Sequence, residues 1–160
     1  MRVEAGQTRF VDGLQGLQVH ELSTLTGDYV ILRKDALPAY HLAVVLDDAD
    51  YGITHIVRGT DLLQATAVHI HLQRALQLPT PDYLHVPIVV NDAGQKLSKQ
   101  TGADAVEAAA APAMATEILS YLGLSAPAAL VGAPPRELWS WAIENWEPAL
   151  LAGRTRLARG

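Results

Sequence analysis

Gly94-Gln95-Lys96-Leu97-Ser98-Lys99-Gln100 places two lysines and a hydroxyl within one short loop, directly after a β-rich run. Loops beyond the carboxyl ends of strands are where open α/β sheets bind their ligands. A lysine there can offset the charge that builds on a triphosphate as pyrophosphate leaves, since such chemistry is largely positioning and electrostatics. On the Lys-x-x-Lys spacing alone, a solvated surface loop is the simpler reading.

Other groups invite chemistry and are weaker. Asp47, Asp48 and Asp50 are oxygen donors of the kind Mg²⁺ takes, but such a run more simply marks a solvated helix end. His69 and His71 stand two apart in a helical stretch, so they point to different faces and do not make a zinc pair. Trp139, Trp141 and Trp146 are aromatic enough to stack bases, although packing between helices explains them more simply. Arg154, Arg156 and Arg159 form a basic tail that reads as a solvated, fraying end.

These residues need elements to hold them. Thr8 to Leu22 alternates loosely and is broken by Gly13 and Gly16, which predicts a hairpin-like pair of strands. Residues 29–33 predict a further short strand. Pro38 predicts a helix start ahead of the apolar run 40–46, and Gly52 its closing turn. Residues 53–58 predict a strand stopped by Gly59. Asp61 to Leu78 predicts the clearest helix, capped by Thr60 or Asp61, with Leu62, Leu63, Val68, Leu72 and Leu76 on its apolar face. Residues 83–90 predict a strand whose Pro87 belongs at an edge or bulge. From Asp104 onward, Ala-rich stretches divided by Pro and Gly predict three or so helices. The order strand–helix–strand, then helices, predicts half of an open α/β sheet followed by a helical appendage.

Bulk composition sets bounds. The 160 residues are 49% hydrophobic and 18% charged, which is globular rather than disordered. No apolar run approaches the roughly 20 residues of a membrane span. Absence of cysteine excludes a disulfide framework and thiolate metal sites. A cytoplasmic setting is the default expectation. The net charge of −5 excludes a chain coated in basic surface, so any nucleic-acid contact must come from local clusters.

Gln95-Lys96-Leu97-Ser98-Lys99-Gln100 resembles the KMSKS signature of class I aminoacyl-tRNA synthetases in its KLSK variant. Residues 39–48 (AYHLAVVLDD) and 52–59 (GITHIVRG) are similar to segments of the glutamyl-tRNA synthetase family, in family order and spacing. The resemblance covers residues 9–102 well and the tail weakly. It implies the second half of a class I Rossmann-like nucleotide-binding fold over residues 1–102, with the helical appendage over 103–160. It further implies that Tyr40 lines a glutamate pocket and that Arg58 pairs with a substrate carboxylate, which suits a guanidinium fork. Lys99 matches the signature lysine that contacts ATP and serves catalysis, and Lys96, Leu97, Ser98 and Gln100 complete the ATP loop. Gln100 replaces the final serine of the consensus. Implied substrates are glutamate, ATP with its accompanying Mg²⁺, and tRNA; no membrane partner is implied.

Only one of the two ATP signatures of a class I synthetase is present, since no His-x-Gly-His segment occurs. The chain therefore reads as a half, with an N-terminal half as an expected partner and weak or no activation by itself. Such a half is expected to leave part of its sheet as an exposed apolar face. About 60 residues follow Gln100, which favours the short, queuosine-directed form of the family over a fragment of a full glutamyl-tRNA synthetase. A non-catalytic module binding nucleotide, tRNA or a protein is the competing expectation.

Overall fold

The computed structural model describes residues 1–98, 107 and 110–158. Alternating side chains and a tight turn build its first element pair. Strands β1 (Gln7–Asp12) and β2 (Gly16–Glu21) run antiparallel, in register from Gln7↔Glu21 to Asp12↔Gly16. Asp12 closes the turn, its Oδ1 accepting from the Leu14 and Gln15 amides at 3.0 and 2.9 Å. The predicted hairpin is present.

A single helical turn, α1 (Leu22–Leu25), follows. Residues 29–33 do not form the predicted strand: Leu32 makes one isolated bridge to Pro38. The chain turns back at once, with the Ala36 amide donating to the Arg33 carbonyl at 3.0 Å and Arg33 to Leu37 at 2.8 Å. A β-rich run needs a neighbouring strand, and here the segment finds only its own turn and, at Tyr29, two hydrogen bonds with Met1. Helix α2 (Tyr40–Asp50) begins two residues after Pro38, with Ala39 as its cap. Asp47, Asp48 and Asp50 all lie within it.

Strand β3 (His55–Gly59), helix α3 (Leu63–Ala75) and strand β4 (Asp82–Val86) form the expected parallel crossover. The four strands order as β2-β1-β4-β3, with β1 parallel to β4 at Asp12↔Tyr83. A short 3₁₀ turn, Thr60–Leu62, precedes α3, so the cap positions fall on Gly59 and Leu62, not on Thr60 or Asp61. The helix ends early, with Gln77 at φ 56° and the Leu78 amide donating to the Gln73 carbonyl at 2.8 Å.

The predicted apolar face of α3 is only partly right. Val68 and Leu72 are buried, but so are Thr66, His69 and Gln73, whereas Leu76 lies beyond the helix and is exposed. Positions 66, 69 and 73 share one face by helical spacing, and that face is polar because it meets polar side chains on the sheet. Thr8, Asp12, Tyr83 and His85 are buried on that side of the sheet, with Ile56 and Arg58 in register beside them. On the opposite side Val11, Leu17, Val19 and Val57 are 43–74% exposed.

Residues 1–86 form one compact unit and residues 87–160 another. Pro87 interrupts the predicted single strand: β4 stays with the first sheet, and β5 (Ile88–Val90) pairs in parallel with β6 (Arg156–Ala158) in the second unit. Proline has no amide hydrogen to give a ladder, so the break falls there. The tail expected to fray is thus a strand as far as Ala158, although Arg154 and Arg156 are exposed. Helices α4 (Ala111–Tyr121) and α5 (Pro135–Asn145) pack through Ala115, Leu119, Leu124, Leu138 and Ala142. Trp141 and Trp146 pack against that core, and Trp146 Nε1 donates to the Leu122 carbonyl at 3.2 Å.

Candidate functional site

Arg58 stands one residue before the end of β3, with its side chain turned into the space between sheet and α3. Its Nε donates to His85 Nε2 at 3.1 Å, and Nη2 donates to Thr66 Oγ1 at 2.7 Å. Nη1 and Nη2 both lie 3.3 Å from His69 Nδ1, so one imidazole sits across the fork. The guanidinium carbon is 5.4 Å from the centre of the Tyr83 ring. Every one of these partners is neutral or an aromatic face.

The ion pairs among the described residues are Arg33–Asp35, His55–Asp82 and His85–Asp12, and none involves Arg58. Burial, which disfavours its charged form, lowers the Arg58 pKa, while Tyr83, Tyr40, Asp48 and Asp61 act the other way. A half-buried cation whose direct hydrogen-bond partners are all neutral attracts an anion, because its desolvation is offset best by an opposite charge.

The imidazoles around it are kept neutral. His69 is pushed down to about 3, first by burial and then by the Arg58 charge. His85 is lowered mainly by burial, against the raising effect of Asp12. With Nδ1 facing the guanidinium, His69 carries its proton on Nε2 and donates to His41 Nδ1 at 3.0 Å. His41 stands beside Tyr40 at the start of α2, and the Tyr40 ring centre is 6.1 Å from that of His69. Thus Tyr40, which is 54% exposed, and Arg58 meet at the same imidazole. His71 goes elsewhere, to the Tyr29 hydroxyl at 2.8 Å.

Asp12, His41, Thr66, His69 and His85 were not singled out from sequence as parts of a site. The readable trace was the polar spacing 66, 69, 73 within a buried helix. Asp12 and His85 carry no motif, since β1–β4 pairing brings them together across 73 positions.

The lysine loop belongs to the second unit. The Leu97 amide donates to the Val89 carbonyl at 2.9 Å, and Lys96 bridges Val90. Asn91 Oδ1 accepts from Ala93 and Gln95 at 3.1 and 2.9 Å, and Gly94 supplies a φ of 73°. This hairpin presents an exposed Lys96 and half-buried Leu97 and Ser98. Lys99 and Gln100 lie outside the described residues. Among the described residues, no three His, Cys, Asp or Glu side chains converge on a point that could hold a metal ion.

Residues 1–125 match the family described as tRNA synthetases class I (E and Q), catalytic domain. A glutamyl-Q tRNA(Asp) synthetase of Aromatoleum aromaticum is 54% identical over 147 residues, 91% of this chain and 46% of the relative. The protein of the same name from Methylococcus capsulatus is 43% identical, over 92% of this chain and 49% of its own. The chain therefore spans about half the length of these curated relatives. A glutamate tRNA ligase of Elizabethkingia meningosepticum, solved with its amino acid, superposes with a TM-score of 0.54 at 30% identity, covering 61% of this chain and 20% of that one. A glutamate-tRNA synthetase of Elizabethkingia anophelis aligns over 97% of this chain and 35% of its own, with a TM-score of 0.69 at 20% identity, a likeness of fold. The α/β fold class expected from sequence agrees with both.

Proposed function

The chain belongs to the catalytic domain of the class I glutamyl- and glutaminyl-tRNA synthetase family, and from that premise we propose that it is the glutamate-holding and lysine-loop portion of a glutamate-activating ligase. The reaction is attack of the glutamate α-carboxylate on the α-phosphate of ATP, releasing pyrophosphate, followed by transfer of the glutamyl group to tRNA. Queuosine of tRNA(Asp) is the acceptor this reading favours, because the relatives that match over nine-tenths of the chain bear that name. The cytoplasm, where ATP and tRNA are both at hand, is the setting it implies.

One observation carries the proposal: Arg58 is a half-buried cation with no carboxylate in ion-pair contact among the described residues, beside an accessible Tyr40. Glutamate supplies the missing anion. In this reading Tyr40 walls the pocket, and Lys99, with Lys96, Leu97, Ser98 and Gln100, steadies the triphosphate as charge develops on it. Mg²⁺ enters with ATP, shielding its phosphates.

The test is glutamate-dependent ATP–pyrophosphate exchange in a chimera joining this chain to the N-terminal half of the Aromatoleum aromaticum relative. Exchange is expected, falling by about 10²-fold or more in Arg58→Ala and in Lys99→Ala. Exchange unchanged in both variants contradicts the assignment. Glutamate binding without exchange in the unaltered chimera points instead to a non-catalytic module.

A further inference from the structure

We propose that Asp12 and His85 are positioning residues that set the orientation of the Arg58 guanidinium for a substrate carboxylate, an inference that rests on the glutamate-site reading above. Asp12 Oδ2 lies 2.6 Å from His85 Nδ1, and both side chains are fully buried. The other carboxylate oxygen, Oδ1, accepts from the backbone amides of Leu14, Gln15 and His85 at 3.0, 2.9 and 3.1 Å. Four hydrogen bonds therefore fix this carboxylate, and it has no proton of its own to give. Its neighbour must be the donor, so His85 carries hydrogen on Nδ1.

That tautomer decides what Arg58 meets. With Nδ1 protonated, His85 Nε2 is a bare acceptor, and it faces Arg58 Nε at 3.1 Å. The Thr66 hydroxyl, 3.0 Å from the same nitrogen, holds Nη2 at 2.7 Å. Two acceptors on one edge of the guanidinium fix its plane. With the other tautomer, two N–H groups would point at each other across that distance, and the Nε contact would be lost. Asp12 thus acts on Arg58 through one imidazole, over three elements far apart in sequence.

Asp12 reaches Arg58 only through the His85 ring and makes no direct ion pair with it. A carboxylate placed directly on the guanidinium would compete with substrate, whereas one imidazole away it leaves the cation open to an incoming anion. The Nδ1 proton links the two charges and separates them.

Asp12→Asn is the discriminating variant. The asparagine side chain keeps an oxygen for the three backbone amides and replaces Oδ2 with an NH₂ donor, which requires His85 Nδ1 to accept. The full chain, labelled with ¹⁵N, is observed at neutral pH by long-range ¹H–¹⁵N correlations of the histidine rings and by the Arg58 Nε–H resonance. Wild type should show His85 protonated on Nδ1. Asp12→Asn should move that proton to Nε2, release Arg58 Nε–H to fast solvent exchange, and weaken L-glutamate binding about tenfold or more, the effect of one lost charge-assisted bond.

An Nε2-protonated His85 in wild type overturns the proposal and needs no variant, so a poorly folding mutant does not shelter it. Arg58 Nε–H unchanged in Asp12→Asn likewise overturns it. Loss of Arg58 Nε–H protection with no glutamate response even in wild type upholds the positioning role and rejects glutamate as the ligand.

Discussion

Arg58 and His69 are in direct contact, and each bears on the other's charge. Substituting Arg58→Lys keeps the charge but removes the planar donor set that His85, Thr66 and His69 share. Glutamate affinity should fall about tenfold or more in that variant, read by titration; unchanged affinity would mean that the guanidinium geometry is not used. His69 yields a pH prediction. Its folded pKa, about 3, lies below its unfolded value of 6.5, so the unfolded chain binds more protons between those limits. Stability from this residue is complete above pH 6.5 and is lost as pH falls toward 3. At pH 5 the loss is about 2 kcal/mol, lowering the melting midpoint by on the order of 5 °C. His41 and His85, also lowered, act in the same direction. Melting curves at pH 7 and pH 5 check this, and His69→Gln should flatten the difference; a midpoint that does not move contradicts the buried neutral imidazole.

At the scale of elements, local spacing was legible wherever one face of an element meets apolar groups or solvent. The β1–β2 hairpin, α2 and the β3–α3–β4 crossover all follow from alternation, turn residues and apolar runs. Reading failed where the deciding partner is distant. Residues 29–33 have strand composition but no strand beside them, and Arg156–Ala158 look like a tail until β5 pairs with them. The candidate site was legible only in part for the same reason. Tyr40 and Arg58 came through family resemblance, whereas Asp12 and His85 meet only through strand pairing. Packing in the second unit offers a direct check. Gly123 turns at φ 80°, and a Cβ there would lie 3.1 Å from Leu150 Cβ. Gly123→Ala should destabilise this unit by about 1–2 kcal/mol, measured by urea unfolding. Leu138→Ala, which empties a fully buried position, should cost about 2–5 kcal/mol. A Gly123→Ala protein as stable as wild type would contradict the left-handed turn.

For the whole molecule, the first sheet is polar within and apolar without. Asp12, Arg58, Thr66, His69 and His85 occupy the covered side, and Val11, Leu17, Val19 and Val57 lie open on the other. Val11 and Leu17 are cross-strand partners, so the exposed groups are contiguous there. Val11→Thr combined with Val57→Thr should reduce binding of an apolar dye and any concentration-dependent self-association, with melting little changed. Dye binding that does not fall would show that this face is not the accessible apolar surface.

The claim on which the functional reading stands is that Arg58 receives glutamate. It is tested most directly by titrating L-glutamate into the ¹⁵N-labelled chain while following the Arg58 Nε–H and His69 ring resonances. A glutamate-holding Arg58 requires both to shift and saturate together, and requires the response to vanish in Arg58→Gln. Resonances that stay still at high glutamate concentration, or that shift equally in Arg58→Gln, would contradict it.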